Sequence, residues 1–242
     1  MNDEEFKSRL ASAVGGEKAA QLRQETATAV GRFMVTASEV FAKIVDLGEE
    51  AGKTDKGVYA LSIILAMAGE LGLASARLLS TSEHYAGAAL LRQLVEIEYL
   101  TWGFRAKRRD PADWLESTSE VRKRDFSPSE LRKTSRGRFL TKDYQDHCEE
   151  GGHPVPRGQH LLRGKNVLGA QVLLTDLITH LWRTWDNVSG WCSTIEHLDS
   201  LVETMNPFIY RPLQHWGKID KVYALMVEKA PSINSETHHQ RL

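Results

Sequence analysis

Apolar residues recur at steps of three and four along the first half of the chain, which is the spacing of an α-helix that buries one face. This pattern predicts a long helix over residues 17–50, a second over 57–79 and a third over 83–104. Residues 1–110 contain no proline, the strongest helix breaker, and this absence favours long helices. The short break before the third helix predicts an antiparallel hairpin, with Ser82 as the residue that caps the third helix.

The second half of the chain mixes short and long helical patterns. A basic stretch with a glycine at 134–139 predicts a mobile loop, and no alternation of apolar and polar residues persists long enough for a strand. An amphipathic pattern that begins at Val167 predicts another long helix. The remaining predicted helices are short ones near 111–124 and 128–133, and a last region over 194–228 that breaks near Pro207 and Pro212.

We therefore predict an all-α protein, a helical bundle built around the central antiparallel hairpin. One domain should span residues 1–229, with a basic, mixed-charge insertion at about 105–142 and a polar C-terminal tail over 230–242. The insertion holds twelve Lys and Arg against six Asp and Glu, an excess of +6. That excess would suit the phosphate backbone of a nucleic acid, although interleaved acidic residues are more typical of a solvated surface.

Composition and charge narrow the class of protein. Hydrophobic residues make up 41 % of the chain and charged residues 26 %, and the formal net charge is −1, so overall charge indicates neither a nucleic-acid nor a membrane partner. Two cysteines, Cys148 and Cys192, do not suggest a disulfide scaffold in a chain of 242 residues. The apolar stretch at 58–68 falls short of the ~20 residues of a membrane span, and the acidic N-terminus is unlike a signal peptide. We expect a reduced, cytoplasmic protein without a membrane segment.

The third predicted helix carries two opposite charges one turn apart, Arg92 and Glu96. Apolar residues occur on every side of this helix, so we expect the helix to be enclosed and the two charges to be buried and paired. Glu70 on the second helix is a candidate third partner, because one carboxylate does not use all five donors of a guanidinium. Such a cluster is either a structural ion network that fixes helix register or a polar pocket that holds a ligand.

Residues 143–162, DYQDHCEEGGHPVPRGQHLL, concentrate histidine, cysteine, glycine and proline. His147, Cys148, His153 and His160 could each bind zinc, but their spacing matches no closed structural zinc pattern. We therefore predict no metal ion and no other cofactor.

The backbone of the same stretch suggests a different role for its central histidine. The glycine pair at 151–152 is predicted to end a helix, and Pro154 forces extended backbone at His153. A ring held this stiffly can serve a site or a structural hydrogen bond. We predict that it hydrogen-bonds to the pair of Arg92 and Glu96. The candidate substrate-binding residues of this stretch are Tyr144, Arg157 and His160.

Two stretches, LLSTSEHYAGAALLRQLVEIEYL and CEEGGHPVPRGQ, resemble a broad family of uncharacterised helical bacterial proteins. Members carry Ala, Leu, Arg and Glu in this order on one helix, followed later by a short His-Pro segment. That family looks related to the HEPN group of helical domains, many of which are RNases of toxin and phage-defence systems. The resemblance covers residues 57–165. The matching positions are Ala88, Leu91, Arg92, Glu96, His153 and Pro154.

The resemblance implies a chemistry as well as a fold. HEPN nucleases carry an arginine and, after four to six residues, a histidine, which act on the 2′-hydroxyl and the scissile phosphate of RNA without a metal ion. Arg77 and His84 fit this spacing and lie at the predicted hairpin turn, where both could reach a surface. The catalytic residues expected on this interpretation are Arg77, His84, Arg92, Glu96 and His153.

The function that the resemblance implies is that of a HEPN-like domain of a prokaryotic defence or toxin system. Such a domain would act on RNA, as a metal-independent RNase, or bind a nucleotide, and we expect it to be a homodimer. Two other functions stay open, a non-catalytic helical dimer or scaffold and a metal-dependent enzyme.

Overall fold

The computed structural model describes residues 3–50, 52, 55–164 and 166–229, so the predicted tail at 230–242 lies outside the described residues. The described residues form helices and contain no β-strand, which confirms the predicted all-α class. The α-helices, in chain order, are α1 (Asp3–Ala13), α2 (Glu17–Glu50), α3 (Lys56–Ser80), α4 (His84–Arg105), α5 (Pro111–Glu116), α6 (Ser119–Asp125), α7 (Pro128–Thr134), α8 (Thr141–His147), α9 (Val167–Cys192), α10 (Glu196–Ile219) and α11 (Lys221–Lys229). A π-helical turn over Cys148–Gly152 follows α8, and a 3-10 helix over Pro156–Gly164 precedes α9.

Five long helices, α2, α3, α4, α9 and α10, build the bundle, and their buried faces meet in one hydrophobic core. Leu61, Leu65 and Ala68 of α3 are 0 % exposed, so α3 passes through the middle of this core. Trp185 of α9 packs edge-on against Phe33 of α2, with ring centroids 4.7 Å apart. Removal of these large apolar side chains from water is the main force that holds the helices together.

The helices α3 and α4 form the predicted hairpin, and the bounds of α2, α3 and α4 agree with the predicted ones to within one residue. The Ser75 hydroxyl donates to the Gly87 carbonyl at 2.9 Å and links the two arms of the hairpin. The prediction that Ser82 caps α4 is wrong. Ser82 has a φ of 69°, and Glu83 takes the N-cap position without a side-chain capping bond. The left-handed backbone at Ser82 reverses the chain and leaves that residue outside the start of the helix.

The helix α10 continues through Pro207 and Pro212, so the predicted break at the prolines is wrong. Pro207 is exposed on the outer face of α10, whereas Ile209 faces the core. A proline leaves one helix carbonyl without its amide donor, but water can supply a donor on an exposed face. The helix ends instead before Asp220, whose carboxylate accepts from the amide of Val222 at 2.8 Å and starts α11.

The basic insertion at 105–142 folds largely as short helices, with α5 packed beside α3 and α7 beside α4. Of its predicted mobile loop at 134–139, Thr134 ends α7 and the remaining residues form a tight turn, in which Arg136 and Gly137 have φ values of 54° and 90°. Phe139 at the end of the turn is 9 % exposed and packs on Tyr99, with ring centroids 3.9 Å apart. One end of the turn is therefore fixed to the bundle, and the mobility of its exposed residues stays a prediction.

The core helix α3 is long and apolar enough to cross a membrane by length and composition alone. The predicted apolar stretch at 58–68 lies within α3, and the apolar character of this helix extends beyond that stretch. However, 56 % of its most apolar window is buried inside the bundle. This packing is typical of the core helix of a soluble protein.

Residues 141–164, called the cover segment from here on, contain α8, the π-helical turn and the 3-10 helix, and they lie across α4. Gly151 touches the backbone of α4, because a Cβ atom at this position would lie 2.6 Å from the amide nitrogen of Ala89 and 2.7 Å from the carbonyl carbon of Ala88. No side chain fits such a gap, so Gly151 sets how closely the cover segment can approach α4. The helix stop predicted at 151–152 is the end of the π-helical turn, where the amide of His153 donates to the Cys148 carbonyl at 2.8 Å.

Candidate functional site

The end of α8 directs side chains toward two different helices. Tyr144 and Cys148, one turn apart, both contact Arg92 on α4. His147, between them in the chain, faces Asp176 on α9. Two polar clusters therefore lie beneath the cover segment, and each contains residues from both the bundle and the cover segment.

The first cluster, called the tyrosine cluster, consists of Arg92, Glu96, Arg132, Tyr144 and Cys148. Arg92 Nη2 lies 2.8 Å from Glu96 Oε1 and donates to the Tyr144 hydroxyl at 2.8 Å. That hydroxyl donates in turn to Glu96 Oε1 at 2.8 Å, and Arg92 Nε donates to the sulfur of Cys148 at 3.3 Å. The guanidinium carbon of Arg132 lies 4.2 Å from the centre of the Tyr144 ring. Two guanidinium groups and one carboxylate thus surround Tyr144, and the formal charge of the cluster is positive.

The predicted pairing of Arg92 with Glu96 is confirmed, but their predicted full burial is wrong. The two side chains remain 23 % and 32 % exposed, because the cover segment crosses α4 without enclosing this face. Glu70, the predicted third partner, is exposed on α3, and Tyr144 and Cys148 take its place. A ligand in solution can therefore reach this cluster.

The protonation states of this cluster follow from burial and from the neighbouring charges. Burial and the hydrogen bond to Glu96 raise the pKa of Tyr144 to about 12. Burial disfavours the charged form of Arg92, but the bond to Cys148 and the charge of Glu96 outweigh this effect and raise the pKa of that guanidinium. At neutral pH the cluster therefore presents a neutral phenol as a donor beside a permanent cation.

The structure does not bring His153 into the tyrosine cluster, so the predicted hydrogen bond to Arg92 and Glu96 is wrong. His153 is exposed, and its contact with the bundle is made by its backbone carbonyl, which accepts from the Tyr85 hydroxyl at 3.2 Å. Within the part of the chain that the structure describes, its ring makes no hydrogen bond. The extended backbone that Pro154 imposes, with φ −135° and ψ 149°, turns the carbonyl toward α4 and leaves the ring in solvent.

Arg77 and His84 differ in their exposure to solvent. Arg77 is exposed at the end of α3, whereas His84 is 3 % exposed at the start of α4. The Nδ1 atom of His84 is buried and has no hydrogen-bond partner among the described residues. Burial lowers the pKa of His84, which favours its neutral form. The expectation that both side chains reach one surface is therefore wrong, because the first residue of α4 faces inward.

Arg157 and His160 lie in the 3-10 helix of the cover segment, and the ion pairs and hydrogen bonds described for them do not reach the tyrosine cluster. Their predicted role in substrate binding stays a prediction. Arg157 Nη1 lies 3.0 Å from Asp146 and 2.7 Å from Glu149, so acidic neighbours already neutralise its charge. The Nδ1 atom of His160 donates to the carbonyl of Arg157. The ion pairs of Arg157 thus connect the 3-10 helix to α8 and to the π-helical turn.

The second cluster, called the histidine cluster, consists of Glu98, His147, Asp176 and His180. Asp176 and His180 stand one turn apart on α9, with His180 Nε2 3.3 Å from Asp176 Oδ1. His147 Nε2 lies 3.5 Å from the other oxygen, Asp176 Oδ2. On the opposite side of its ring, His180 Nδ1 lies 2.5 Å from Glu98 Oε2 of α4. The cluster thus joins α4, α8 and α9.

The histidine cluster is more deeply buried than the tyrosine cluster. The side chains of Glu98 and His180 are 3 % and 4 % exposed, and that of Asp176 is 19 % exposed. Burial lowers the pKa of His180, but the charge of Asp176 and the bonds to both carboxylates outweigh this effect and raise the pKa to about 10. Burial would raise the pKa of Asp176, but the charges of His180 and His147 hold it well below its usual range. In the absence of another cation, His180 is an imidazolium between two carboxylates.

Further carboxyl groups border the histidine cluster. Burial and the charge of Asp176 raise the pKa of Asp143, and burial raises the pKa of Glu150. Arg183 Nη1 lies 3.9 Å from the second oxygen of Glu98. The region therefore gathers acidic groups around two imidazole rings.

Three of the four residues of the histidine cluster, Glu98, Asp176 and His180, were not predicted from the sequence. Glu98 is two residues from Glu96, and the apolar residues on every side of α4 give no signal that distinguishes their burial. Asp176 and His180 lie four residues apart within an apolar part of α9. This spacing places them on one face of the helix, and it is the pattern from which they could have been predicted. Of the four residues considered as zinc ligands, only His147 joins the cluster, and its partners come from α4 and α9.

Comparison of the chain with protein-family models, curated proteins and solved structures gives no match. The resemblance to HEPN-like proteins therefore depends on the residues quoted above.

Proposed function

We propose that the tyrosine cluster binds a phosphate group and that the protein acts on RNA or binds a nucleotide. The observation that supports this proposal is the placement of two guanidinium groups, those of Arg92 and Arg132, around Tyr144 with one carboxylate, Glu96. Guanidinium groups bind phosphate through paired hydrogen bonds. This function fits a HEPN-like, cytoplasmic domain of a prokaryotic defence or toxin system.

Arg132 has unused capacity for an anion. Its Nη1 atom is buried and has no hydrogen-bond partner among the described residues, while its guanidinium stacks on the Tyr144 ring. A buried donor without a partner costs about 1–3 kcal/mol, and a phosphate oxygen could recover part of that loss. Arg92 is only partly shielded and could contribute a second cation to the same anion.

The cluster also contains groups that would support RNA cleavage. Glu96 would accept the proton of the 2′-hydroxyl, and the 2′-oxygen would then form a bond to phosphorus. The bond from phosphorus to the 5′-oxygen would break, and that oxygen would take a proton from water, which leaves a 2′,3′-cyclic phosphate. Arg92 and Arg132 would stabilise the negative charge that develops on the phosphate. Tyr144 would position Glu96 and Arg92 through its hydrogen bonds.

The experiment is to incubate the purified chain with single-stranded RNA in EDTA and to measure nucleotide binding by calorimetry. We expect Arg132→Gln to lower cleavage or nucleotide affinity by about 10-fold or more, because hydrogen bonds to charged groups contribute about 1.5–3 kcal/mol. We expect Glu96→Gln to abolish cleavage and to retain nucleotide binding. Arg136→Gln is the matched control, since Arg136 is exposed four residues away and the charge change is the same.

The outcomes separate the candidate functions. Equal losses in Arg132→Gln and Arg136→Gln would show that general positive charge, rather than the tyrosine cluster, binds the ligand. A wild-type chain that neither cleaves RNA nor binds a nucleotide would contradict the proposal. That result would favour the scaffold function.

The second candidate function, a non-catalytic helical dimer, has a separate observation in its favour. Tyr59 and Met67 of α3 are 45 % and 47 % exposed, and Ile63 lies between them at four-residue steps. These side chains form an apolar stripe that a second copy of the chain could cover. Light scattering after size exclusion should then give the mass of a dimer, and Met67→Lys should give the mass of a monomer.

A further inference from the structure

We propose that the histidine cluster binds one divalent transition-metal ion, with His147, Asp176 and His180 as its ligands and zinc as the best-suited ion. Two imidazole nitrogens and one carboxylate oxygen form a common ligand set for zinc sites that keep one position open to water. The proposal goes beyond the function proposed for the tyrosine cluster and does not depend on it. It also reverses the prediction from the sequence that the chain binds no metal.

The distances between the ligand atoms support a single shared ion. One ligand atom from each of the three residues lies within 4.8 Å of the other two. His180 Nε2 lies 3.3 Å from Asp176 Oδ1, and His147 Nε2 lies 3.5 Å from the other oxygen of that carboxylate, Oδ2. Tetrahedral zinc with bonds of about 2.0–2.1 Å places its ligand atoms about 3.3 Å apart. Each ring is therefore already close to the required spacing from the carboxylate, and the three ligand atoms lie within 4.8 Å of one another.

The bond between His180 and Glu98 orients the ring for a metal ion. His180 Nδ1 lies 2.5 Å from Glu98 Oε2, so this nitrogen is the one that carries the proton. The lone pair of a neutral ring is then on Nε2, the atom that faces Asp176. Metal-binding histidines commonly donate their second ring nitrogen to a carboxylate in this way, which fixes the ring and strengthens it as a ligand.

The surroundings of the cluster favour a cation and allow it to reach the ligands. Asp176 is 19 % exposed, so an ion and its bound water can approach from solvent. Asp143 and Glu150 interact electrostatically with Asp176 and add two further carboxyl groups, and one guanidinium, that of Arg183, lies 3.9 Å from Glu98. The competing occupant is a proton on His180, which would leave the cluster as a structural ion network without a metal.

A metal ion here would connect two parts of the chain. His147 belongs to the cover segment, and Asp176 and His180 belong to α9. The ion would therefore fasten α8 to the bundle, and binding would stabilise the folded chain by mass action.

The experiment uses the full chain after chelator treatment and dialysis, with zinc alone as the probe. We expect calorimetry to give one zinc ion per chain and zinc to raise the melting temperature. We expect His147→Gln and Asp176→Asn each to lower zinc affinity by more than the roughly 10- to 100-fold that follows loss of an outer-shell partner. Glu98→Gln should lower zinc affinity by roughly 10- to 100-fold, because Glu98 is such an outer-shell partner. His153→Gln is the matched control, because it removes an exposed imidazole from the same segment.

Several results would overturn the proposal. These are a wild-type chain that binds no zinc, zinc binding that His147→Gln leaves unchanged, and equal losses in His147→Gln and His153→Gln. Circular dichroism checks that each variant folds, and Asp176→Asn decides if His147→Gln does not fold. If neither folds, the decision comes from the wild-type chain, whose melting temperature should fall in chelator and recover with zinc but not with magnesium. Tyr144→Phe should retain zinc binding, so a failed phosphate site and a failed metal site give different results.

Discussion

Arg23 and Asp220 lie 197 residues apart in the chain and form a two-pronged ion pair, with Arg23 Nε 2.7 Å from Asp220 Oδ2 and Nη2 3.1 Å from Oδ1. Each side chain is only 1 % exposed. Trp216 Nε1 donates to the same carboxylate at 2.7 Å. The fully buried ion pair that we expected at Arg92 and Glu96 is thus found here, where it fastens the junction of α10 and α11 to α2.

Removal of the Asp220 carboxylate should destabilise the fold strongly. Asp220→Ala leaves the Arg23 guanidinium buried without its partner, which costs about 3–5 kcal/mol. We expect chemical denaturation to show this loss in the free energy of unfolding. Glu228→Ala, which breaks the exposed pair with Arg9, is the control and should leave the denaturation midpoint almost unchanged. Similar midpoints for the two variants would contradict the assigned role of Asp220.

Addition of one methyl group at Gly151 should loosen the cover segment. The Cβ atom of Gly151→Ala would lie 2.6 Å from the backbone nitrogen of Ala89, and backbone cannot give way as a flexible side chain can. Overpacking of this kind costs about 1–3 kcal/mol, and amide hydrogen exchange in α8 should become faster. Gly16→Ala is the control, because nothing lies within 4 Å of a Cβ at that position. Unchanged exchange in α8 would show that the contact with α4 does not hold the segment.

Stability should depend on pH through His84. Burial lowers the pKa of His84, so the unfolded chain takes up a proton at a pH where the folded chain does not. The contribution of the neutral ring is fully present above the unfolded pKa of about 6.5 and is lost as the pH falls below it. Between pH 7.5 and pH 5.5, the free energy of unfolding should therefore fall more for wild type than for His84→Gln. The difference between the two decreases cannot exceed about 1.4 kcal/mol per pH unit. Equal decreases in the free energy of unfolding would exclude a role of His84 in this pH dependence.

Phe139 should limit the mobility of the turn at 134–139. Limited trypsin digestion should cut first at Arg136 or Arg138, and Phe139→Ala should speed that cleavage, because a buried Phe→Ala substitution costs about 3–5 kcal/mol. Phe208→Ala is the control, since Phe208 is 72 % exposed. First cleavage within the hairpin at 57–104 would contradict both the predicted mobile turn and the buried position of α3.

The long helices could be predicted because their apolar spacing is a local property of the sequence. The bounds of α2 follow from that spacing alone. Local rules failed where the outcome depends on the face that a residue occupies. Pro207, for example, does not break α10, because it lies on the exposed face. A second failure has a different cause, since Ser82 does not cap α4 because its backbone is left-handed.

The candidate sites were harder to predict from the sequence, since they depend on contacts between distant elements. Arg92, Glu96 and Tyr144 were predicted as site residues, and the structure does bring them together. Glu98 and His180 lie 82 residues apart in the chain, and no local pattern indicates their contact. His153 was predicted for the Arg92 cluster because its backbone is stiff, but stiffness does not determine the direction of the ring.

The position of α8 has a thermodynamic consequence for the two clusters. Tyr144 and His147 are three residues apart on this helix, and each completes a cluster on a different helix of the bundle. A ligand at either cluster that requires α8 to be docked also favours docking at the other. Such coupling is reciprocal, so a phosphate ligand would raise metal affinity by the same factor by which the metal raises phosphate affinity.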